Sequence, residues 1–114
     1  MPRVEREVLS QPASATSDSS DVVRARTSAA RNRQLFRAGK PNARLSAREV
    51  ERHCPLDDAG RKLLDAAVTR LGLSARAYHR VLKVARTIAD LADAGAIASS
   101  HVAEAVRYRE LDRA

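Results

Sequence analysis

The sequence has few of the residues that stabilise a small protein by cross-links or aromatic packing. Its 114 residues include one cysteine, no tryptophan, two tyrosines and one phenylalanine. The single cysteine, Cys54, cannot form a disulfide within the chain, which favours a cytoplasmic location. No apolar run is close to the length of about 20 residues that a helix needs to span a bilayer, and no secretory signal opens the sequence. We therefore expect a cytoplasmic protein without membrane contact.

Glycine and proline are also scarce, with four of each. Alanine and leucine instead lie among charged residues, a composition that favours helices. The length suffices for one domain with a modest core of aliphatic side chains. The expected fold class is therefore all-α.

The sequence contains none of the common catalytic motifs. It has no Gly-x-x-x-x-Gly-Lys-Ser/Thr loop to hold phosphates and no acidic strand end to position magnesium. His53, His79 and His101 lack the spacing of metal ligands, and Cys54 beside His53 is too small a set for zinc. We predict no catalytic residue and no metal site, and we interpret Cys54 as a small core residue.

The chain divides into three parts. Residues 1–20 are predicted to be a disordered tail or linker, of which 1–9 could end a strand and 10–20 form a mobile Ser, Ala, Thr and Pro segment. Residues 21–45 comprise a basic helix, from about Asp21 to Ala38 with Ser20 as its cap, and a loop. Its apolar side is thin, so we expect it to need a partner surface. That side consists of Val22, Val23, Ala29, Ala30, Leu35 and Phe36.

Residues 46–114 are predicted to form a bundle of about four helices with short connections. Ser46 and Glu49 have the spacing of a capping box. The later helices are predicted to begin at the caps Asp57 or Asp58, Ser74, and Ser99 or Ser100. Gly72 is predicted to end the helix that begins at Asp57 or Asp58, and Gly95 the helix that begins at Ser74.

The charge balance is strongly basic, with a formal net charge of +7. Nine Lys and Arg residues lie between positions 24 and 52, against only Glu49 and Glu51. Such an excess suits DNA or nucleotide phosphates, although a solvated helix face has the same composition. The candidate phosphate contacts are Arg24, Arg26, Arg31, Arg33, Arg37, Lys40 and Arg80.

Arg76 lies in the first turn of the longest predicted helix, two residues after the cap Ser74. Its guanidinium and the free N–H groups of that turn would project from the same end, which suits an anion. The alternative is an exposed arginine that pairs with a nearby acid. Further along this helix, Arg86 and Asp90 have i, i+4 spacing and are expected to form an ordinary helix pair worth a few tenths of a kcal/mol.

Residues 73–91 read LSARAYHRVLKVARTIADL. This run resembles the C-terminal domain of the Mg-chelatase-like AAA+ ATPase family, of the YifB and ComM type. The resemblance covers about residues 24–113, and residues 2–4 resemble the end of the strand that follows the ATPase core. It is also carried by Arg24, Ala29, Ala30, Arg31, Gln34, Asn42, Ala43, Leu45, Cys54, Leu63, Leu64, His101, Glu104, Ala105, Tyr108 and Arg109.

The resemblance implies a helical lid beside a nucleotide-binding AAA+ core that is absent from this sequence. Arg76 matches the family's sensor-2 arginine, which reaches the γ-phosphate of ATP. The implied parent is an ATPase that uses ATP and Mg²⁺ in a ring, expected to be a hexamer. In one branch of the family the ring is a helicase that drives branch migration of DNA during natural transformation (competence).

This chain alone is not expected to be an enzyme. Two alternatives stay open beside the lid interpretation. One is a stand-alone basic helical module that binds nucleic acid, and the other is an interaction bundle whose basic face meets an acidic partner.

Overall fold

The computed structural model describes the backbone over residues 12–113 and the side chains over residues 20–111. This range contains five α-helices and one short 3₁₀ turn at Asn42–Arg44. The helices are α1 (Pro12–Ala38), α2 (Ala47–His53), α3 (Asp58–Leu71), α4 (Ala75–Leu91) and α5 (Ser99–Arg113). An isolated bridge joins Leu56 to Ile97, and no strand is formed over residues 12–113. The predicted all-α fold is confirmed.

Helix α4 is the centre of the bundle, where it contacts α1, α2, α5 and the 3₁₀ turn, while α5 also contacts α3. Apolar residues recur along α4 at spacings of three and four, so one face is buried along its whole length. Leu64 of α3 and Val102 of α5 are fully buried in the same core cluster as this face. Burying a side chain of that size stabilises the fold by about 1.5–3 kcal/mol. No helix within residues 12–113 is both long and apolar enough to cross a membrane.

Most helix ends in the bundle follow the predicted local signals. Ser46 and Glu49 form the capping box, since each side chain accepts the other residue's backbone N–H. Asp57 caps α3 by accepting from Gly60 N–H, and Ser74 caps α4. Gly72 ends α3 in the left-handed conformation, with φ of 65°. These predictions hold because each cap involves residues only three or four positions apart.

Two predicted ends are wrong. Helix α4 ends at Leu91, and Asp93 rather than Gly95 takes the left-handed position, with φ of 59°. Aspartate tolerates this conformation, and the N–H groups of Asp93 and Ala94 satisfy the last carbonyls of α4. Helix α5 is not capped by Ser99 or Ser100: Ala98 precedes it, and the Ala98 N–H donates to Nδ1 of His101 at 2.9 Å. This imidazole performs the role that Glu49 has in α2.

Helix α1 also differs from its predicted extent. It begins at Pro12, so Ser20 lies inside the helix and the predicted linker over residues 10–20 overlaps it. Proline suits a first helical position because its missing N–H would have no helical partner there. Residues 1–11, including the predicted strand end, lie outside the described residues. Of the predicted apolar side of α1, only Ala30 is buried, while Val22, Val23, Leu35 and Phe36 are exposed.

Candidate functional site

The N-terminal end of α4 presents an arginine to solvent. Ser74 Oγ accepts the Ala77 N–H at 3.1 Å, and Ser74 carbonyl accepts the Tyr78 N–H at 2.8 Å. By helix geometry, the N–H groups of Ala75 and Arg76 have no carbonyl partner within the helix. Arg76 is exposed and forms no ion pair with any residue of the described range. An oxyanion at this end would therefore meet a free guanidinium, free N–H donors and the positive end of the helix dipole.

The first two turns of α4 are packed into the bundle. Ala77 is buried, and Val81 and Leu82 follow one turn later in the core. His79 contacts Glu51 of α2 at 3.2 Å between Nε2 and Oε2. Arg80 is exposed one turn after Arg76, so α4 presents two arginines beside each other while its opposite side holds the core.

A groove between three elements of the bundle lies away from this end of α4. It has a volume of about 640 Å³ and runs between α1, α4 and α5. Its lining includes Val23, Ile88 and Tyr108 and does not include Arg76. Ser74, Ala75 and Arg76 are all exposed, so this end of α4 is a surface that suits a ligand held mainly by another part of a protein.

The candidate phosphate contacts separate into two groups. Arg24, Arg26 and Arg31 are exposed on α1; Arg24 pairs only with Asp21, at 3.2 Å, on the same helix, and the other two form no ion pair in the described range. Arg80 is likewise exposed. The second group consists of Arg33, Arg37 and Lys40, which are engaged within the fold by Asp93, Asp90 and Glu49 respectively.

Asp90 is the centre of a buried polar cluster between α1, α4 and the 3₁₀ turn. Its carboxylate accepts from Arg37 at 2.6 and 3.2 Å and from Asn42 Nδ2 at 3.0 Å. Arg33 donates to the Asp90 carbonyl at 2.9 Å. Burial acts to raise the pKa of Asp90, but the hydrogen bonds from Arg37 and Asn42 and the charge of Arg86 outweigh it and lower that pKa. Asp90 is therefore held ionised inside the bundle.

Arg86 and Asp90 are not the ordinary helix pair that was expected. Both are buried, with 3.1 Å between Nη2 and Oδ1, and Arg86 also donates to the Ala94 carbonyl. Desolvation by burial lowers the pKa of Arg86. A signal for this burial was present in the sequence, since Arg86 lies four residues after Leu82 and three before Ala89, on the apolar face. The i, i+4 spacing of Arg86 and Asp90 predicts the pair, whereas their spacing from Leu82 and Ala89 indicates that the pair is buried.

The described side chains offer no further chemical centre. No group of three His, Cys, Asp or Glu side chains in that part of the chain could hold a metal ion. Cys54 is buried in the core, as predicted. Desolvation raises the pKa of its thiol to about 11, so it is a weak nucleophile at neutral pH.

Comparison with known proteins places this helical domain in a family. Residues 17–109 match the family model described as "Magnesium chelatase, subunit ChlI C-terminal". The match covers most of the sequence, so the chain belongs to this family.

Two curated relatives show how much of a longer protein such a domain represents. The chain is 48% identical over 96 residues to the competence protein ComM of Haemophilus influenzae, an alignment that covers 84% of this chain and 19% of that protein. It is 47% identical over 106 residues to the uncharacterized protein YifB of Salmonella typhimurium, covering 93% of this chain and 21% of the relative. The chain thus spans about a fifth of the length of these relatives. No solved structure matches it.

Proposed function

We propose that this chain is the C-terminal lid of a ring-forming AAA+ ATPase that acts on DNA, and that Arg76 is its sensor-2 arginine. The observation that supports this most is the position of Arg76, free and exposed at the N-terminal end of the central helix α4. The family membership also supports the proposal, because the matched region is about one fifth of the length of the Haemophilus relative.

The residues at this end of α4 fit a nucleotide phosphate. A guanidinium presents two parallel donors that match two phosphate oxygens, and it stays charged at all physiological pH values. ATP supplies the phosphoryl group whose transfer releases energy, and Arg76 stabilises the negative charge on its γ-phosphate. In this proposal the core, rather than this segment, holds Mg²⁺ and the attacking water. Arg76 thereby couples the rigid bundle to the state of the nucleotide.

The lid works in the context of the parent protein. The segment has no turnover of its own, whereas the parent is a cytoplasmic ATPase whose subunits form a hexamer. The name of the Haemophilus relative, a competence protein, supports DNA as the substrate class. The exposed Arg24, Arg26 and Arg31 on α1 are compatible with contacts to that DNA.

The decisive experiment changes Arg76 in the parent protein. Arg76→Ala is expected to lower ATP hydrolysis about tenfold to a thousandfold, as loss of comparable transition-state donors does. Arg76→Lys is expected to retain part of the rate, since lysine keeps the positive charge but lacks the two parallel N–H donors of the guanidinium. Arg61→Ala removes an exposed arginine of α3 that forms no ion pair in the described range; it is the matched control and should leave hydrolysis unchanged.

The same substitution in this chain tests the structural side. Because Arg76 is exposed and forms no ion pair in the described range, Arg76→Ala is expected to change the free energy of unfolding by no more than about 0.5 kcal/mol. A parent enzyme with Arg76→Ala and undiminished ATPase activity contradicts the sensor-2 role. ATP turnover by the purified chain, with contaminating enzymes excluded, contradicts the lid function itself.

A second candidate function is a stand-alone nucleic-acid-binding module. Arg26 and Arg31 on α1 favour it, because both are exposed and form no ion pair in the described range. The open reading frame upstream separates the two candidates: a phosphate-binding Walker A loop in that frame is expected only for the lid.

A further inference from the structure

The bundle covers only part of the inner side of α1. Ala30 and Gln34 are the buried residues of that side. Val23 and Thr27 lie seven and three positions before Ala30, so helical spacing places them on the same side of the helix. Both are nevertheless exposed, and both line the groove between α1, α4 and α5. The side of α1 that is buried at Ala30 is thus uncovered one and two turns earlier.

The other elements also present apolar side chains to this groove. Val84, Ile88 and Leu91 of α4 line it at spacings of four and three, and Tyr108 of α5 lines it as well. Val23 has 59% of its surface in solvent, Tyr108 51% and Val84 37%. Exposed apolar side chains that gather around one concavity are typical of a binding site. The volume of about 640 Å³ is in the range of sites for small molecules.

Two cations and one carboxylate also line the groove among the described residues. Arg26 of α1 is exposed and forms no ion pair in that range. The Lys83 ammonium of α4 donates only to the Ala43 carbonyl, at 3.3 Å. Glu104 of α5 accepts the Tyr108 hydroxyl at 3.2 Å. Two positive charges and one negative charge leave this lining positive by one, so a ligand with a single negative charge complements it.

The size and composition of the groove favour a small molecule over a macromolecule. Twelve described residues line it, whereas a stable protein interface uses about 20–30 residues on each side. A contact with a second copy of the chain is subject to the same limit. Interfaces with nucleic acid are polar and strongly positive, whereas most side chains that line this groove are apolar and one is a carboxylate.

We infer that the groove between α1, α4 and α5 binds a small apolar molecule that carries a single carboxylate. The apolar body lies against Val84, Ile88 and Tyr108, and the carboxylate accepts from Arg26 and Lys83. Because these two donors belong to different helices, the bound molecule joins α1 to α4. The site is separate from the proposed nucleotide contact, since Arg76 does not line the groove.

Three probes that share one apolar body and differ in the head group test this inference: octanoate, 1-octanol and octylamine. Each is titrated into this chain at neutral pH, and two-dimensional amide NMR measures both the affinity and the position of binding. Octanoate is expected to shift the amide signals of Val84, Ile88 and Tyr108 until they saturate. The affinities of 1-octanol and octylamine are expected to be at least about tenfold weaker, because neither offers a carboxylate to the two cations.

Variants separate the charge from the shape of the site. Arg26→Gln and Lys83→Gln are each expected to weaken octanoate binding about threefold to tenfold and to leave the affinity for 1-octanol unchanged. A merely structural effect would weaken both probes. Arg31→Gln removes an exposed arginine of α1 that does not line the groove, so this matched control should change neither affinity. Ala92→Trp fills the groove from an exposed position and is expected to weaken the binding of both probes.

Four results overturn the inference. The first is an equal affinity for octanoate and octylamine, and the second is a set of shifts that does not saturate or that lies outside the groove. Shifts of the Val84 and Ile88 amides caused by single-stranded or duplex DNA assign the groove to nucleic acid, and shifts that follow chain concentration assign it to a second copy.

Ligand-observed NMR repeats the octanoate titration in the parent protein. Binding is expected to persist there, and its loss overturns the inference by assigning the groove to another part of that protein. Arg76→Ala is expected to leave octanoate binding unchanged in both proteins. A failure to bind octanoate therefore leaves the lid proposal intact, and an inactive sensor-2 arginine leaves the groove intact.

Discussion

Arg37 of α1 and Asp90 of α4 lie 53 positions apart in sequence, and their Nη2 and Oδ1 atoms are 2.6 Å apart in the fold. This ion pair joins α1 to α4, together with the contacts of Arg33 with the Asp90 carbonyl and Asp93. Asp90 is fully buried and also holds Arg86, so the carboxylate serves two cations.

We predict that Asp90→Ala destabilises the chain by about 3–5 kcal/mol, because it leaves Arg86 buried without its counter-ion. Arg37→Ala is expected to cost less, about 1–2 kcal/mol, since Arg86 still pairs with Asp90 and Arg37 is partly exposed. Urea unfolding followed by circular dichroism measures both, with Arg31→Ala as the exposed control. Equal losses for Asp90→Ala and Arg37→Ala would contradict the central role of Asp90.

The capping box predicts an unusually acidic carboxyl group. A backbone hydrogen bond from Ser46 and a side-chain hydrogen bond from Lys40 lower the pKa of Glu49 from 4.5 to about 2. Because the pKa of Glu49 is lower in the folded chain, these hydrogen bonds stabilise the fold. Their contribution to the free energy of unfolding is fully present above about pH 4.5 and is lost as the pH falls toward 2. An NMR titration of the Glu49 carboxyl carbon measures the midpoint directly.

Lys40→Met is expected to raise the Glu49 midpoint part of the way toward 4.5, since the Ser46 N–H still donates. Lys62→Met removes an exposed lysine on α3 and should leave the midpoint in place. A midpoint near 4.5 in the unmodified chain would show that the box is not formed in solution.

Cys54 is expected to be chemically inert in the folded chain. Its pKa of about 11 reduces the thiolate fraction at pH 8 by about a hundredfold relative to an exposed thiol. Burial adds a steric block, so labelling by a disulfide reagent should follow the opening of the bundle. The measurement compares the rate in buffer with the rate in denaturing urea; similar rates would place Cys54 at the surface.

DNA binding is expected to depend on the exposed arginines of α1. Replacing Arg26 and Arg31 by Gln should weaken binding at low salt and reduce the slope of log affinity against log salt by about 1.8, if each contacts one phosphate of a duplex. Replacing Arg61 and Lys62 of α3 removes the same charge from a different exposed surface and should have a much smaller effect. An absence of binding by the unmodified chain at low salt would remove the stand-alone DNA module and leave the lid proposal intact.

Much of the bundle could be predicted because its signals are local. Ser46, Asp57, Ser74 and Gly72 mark helix ends through contacts with residues a few positions away, and the buried face of α4 follows from apolar spacing. The exceptions have local causes too. Ala98 precedes α5 where Ser99 or Ser100 was the expected cap, with His101 accepting the Ala98 N–H, and Asp93 occupies a left-handed position for which Gly95 was expected.

The sequence by itself determined the helical class, the caps and the family resemblance, because composition, spacing and motif are properties of neighbouring residues. It also determined that Arg76 lies in the first turn of a helix. Only the tertiary structure decided which arginines stay free. Arg33 and Arg37 look equivalent to Arg26 and Arg31 in the sequence. The fold brings Asp93 to Arg33 and Asp90 to Arg37, whereas Arg26 and Arg31 remain in solvent. The reason is physical: an ion pair between distant residues depends on the packing of α1 against α4, which no local pattern records.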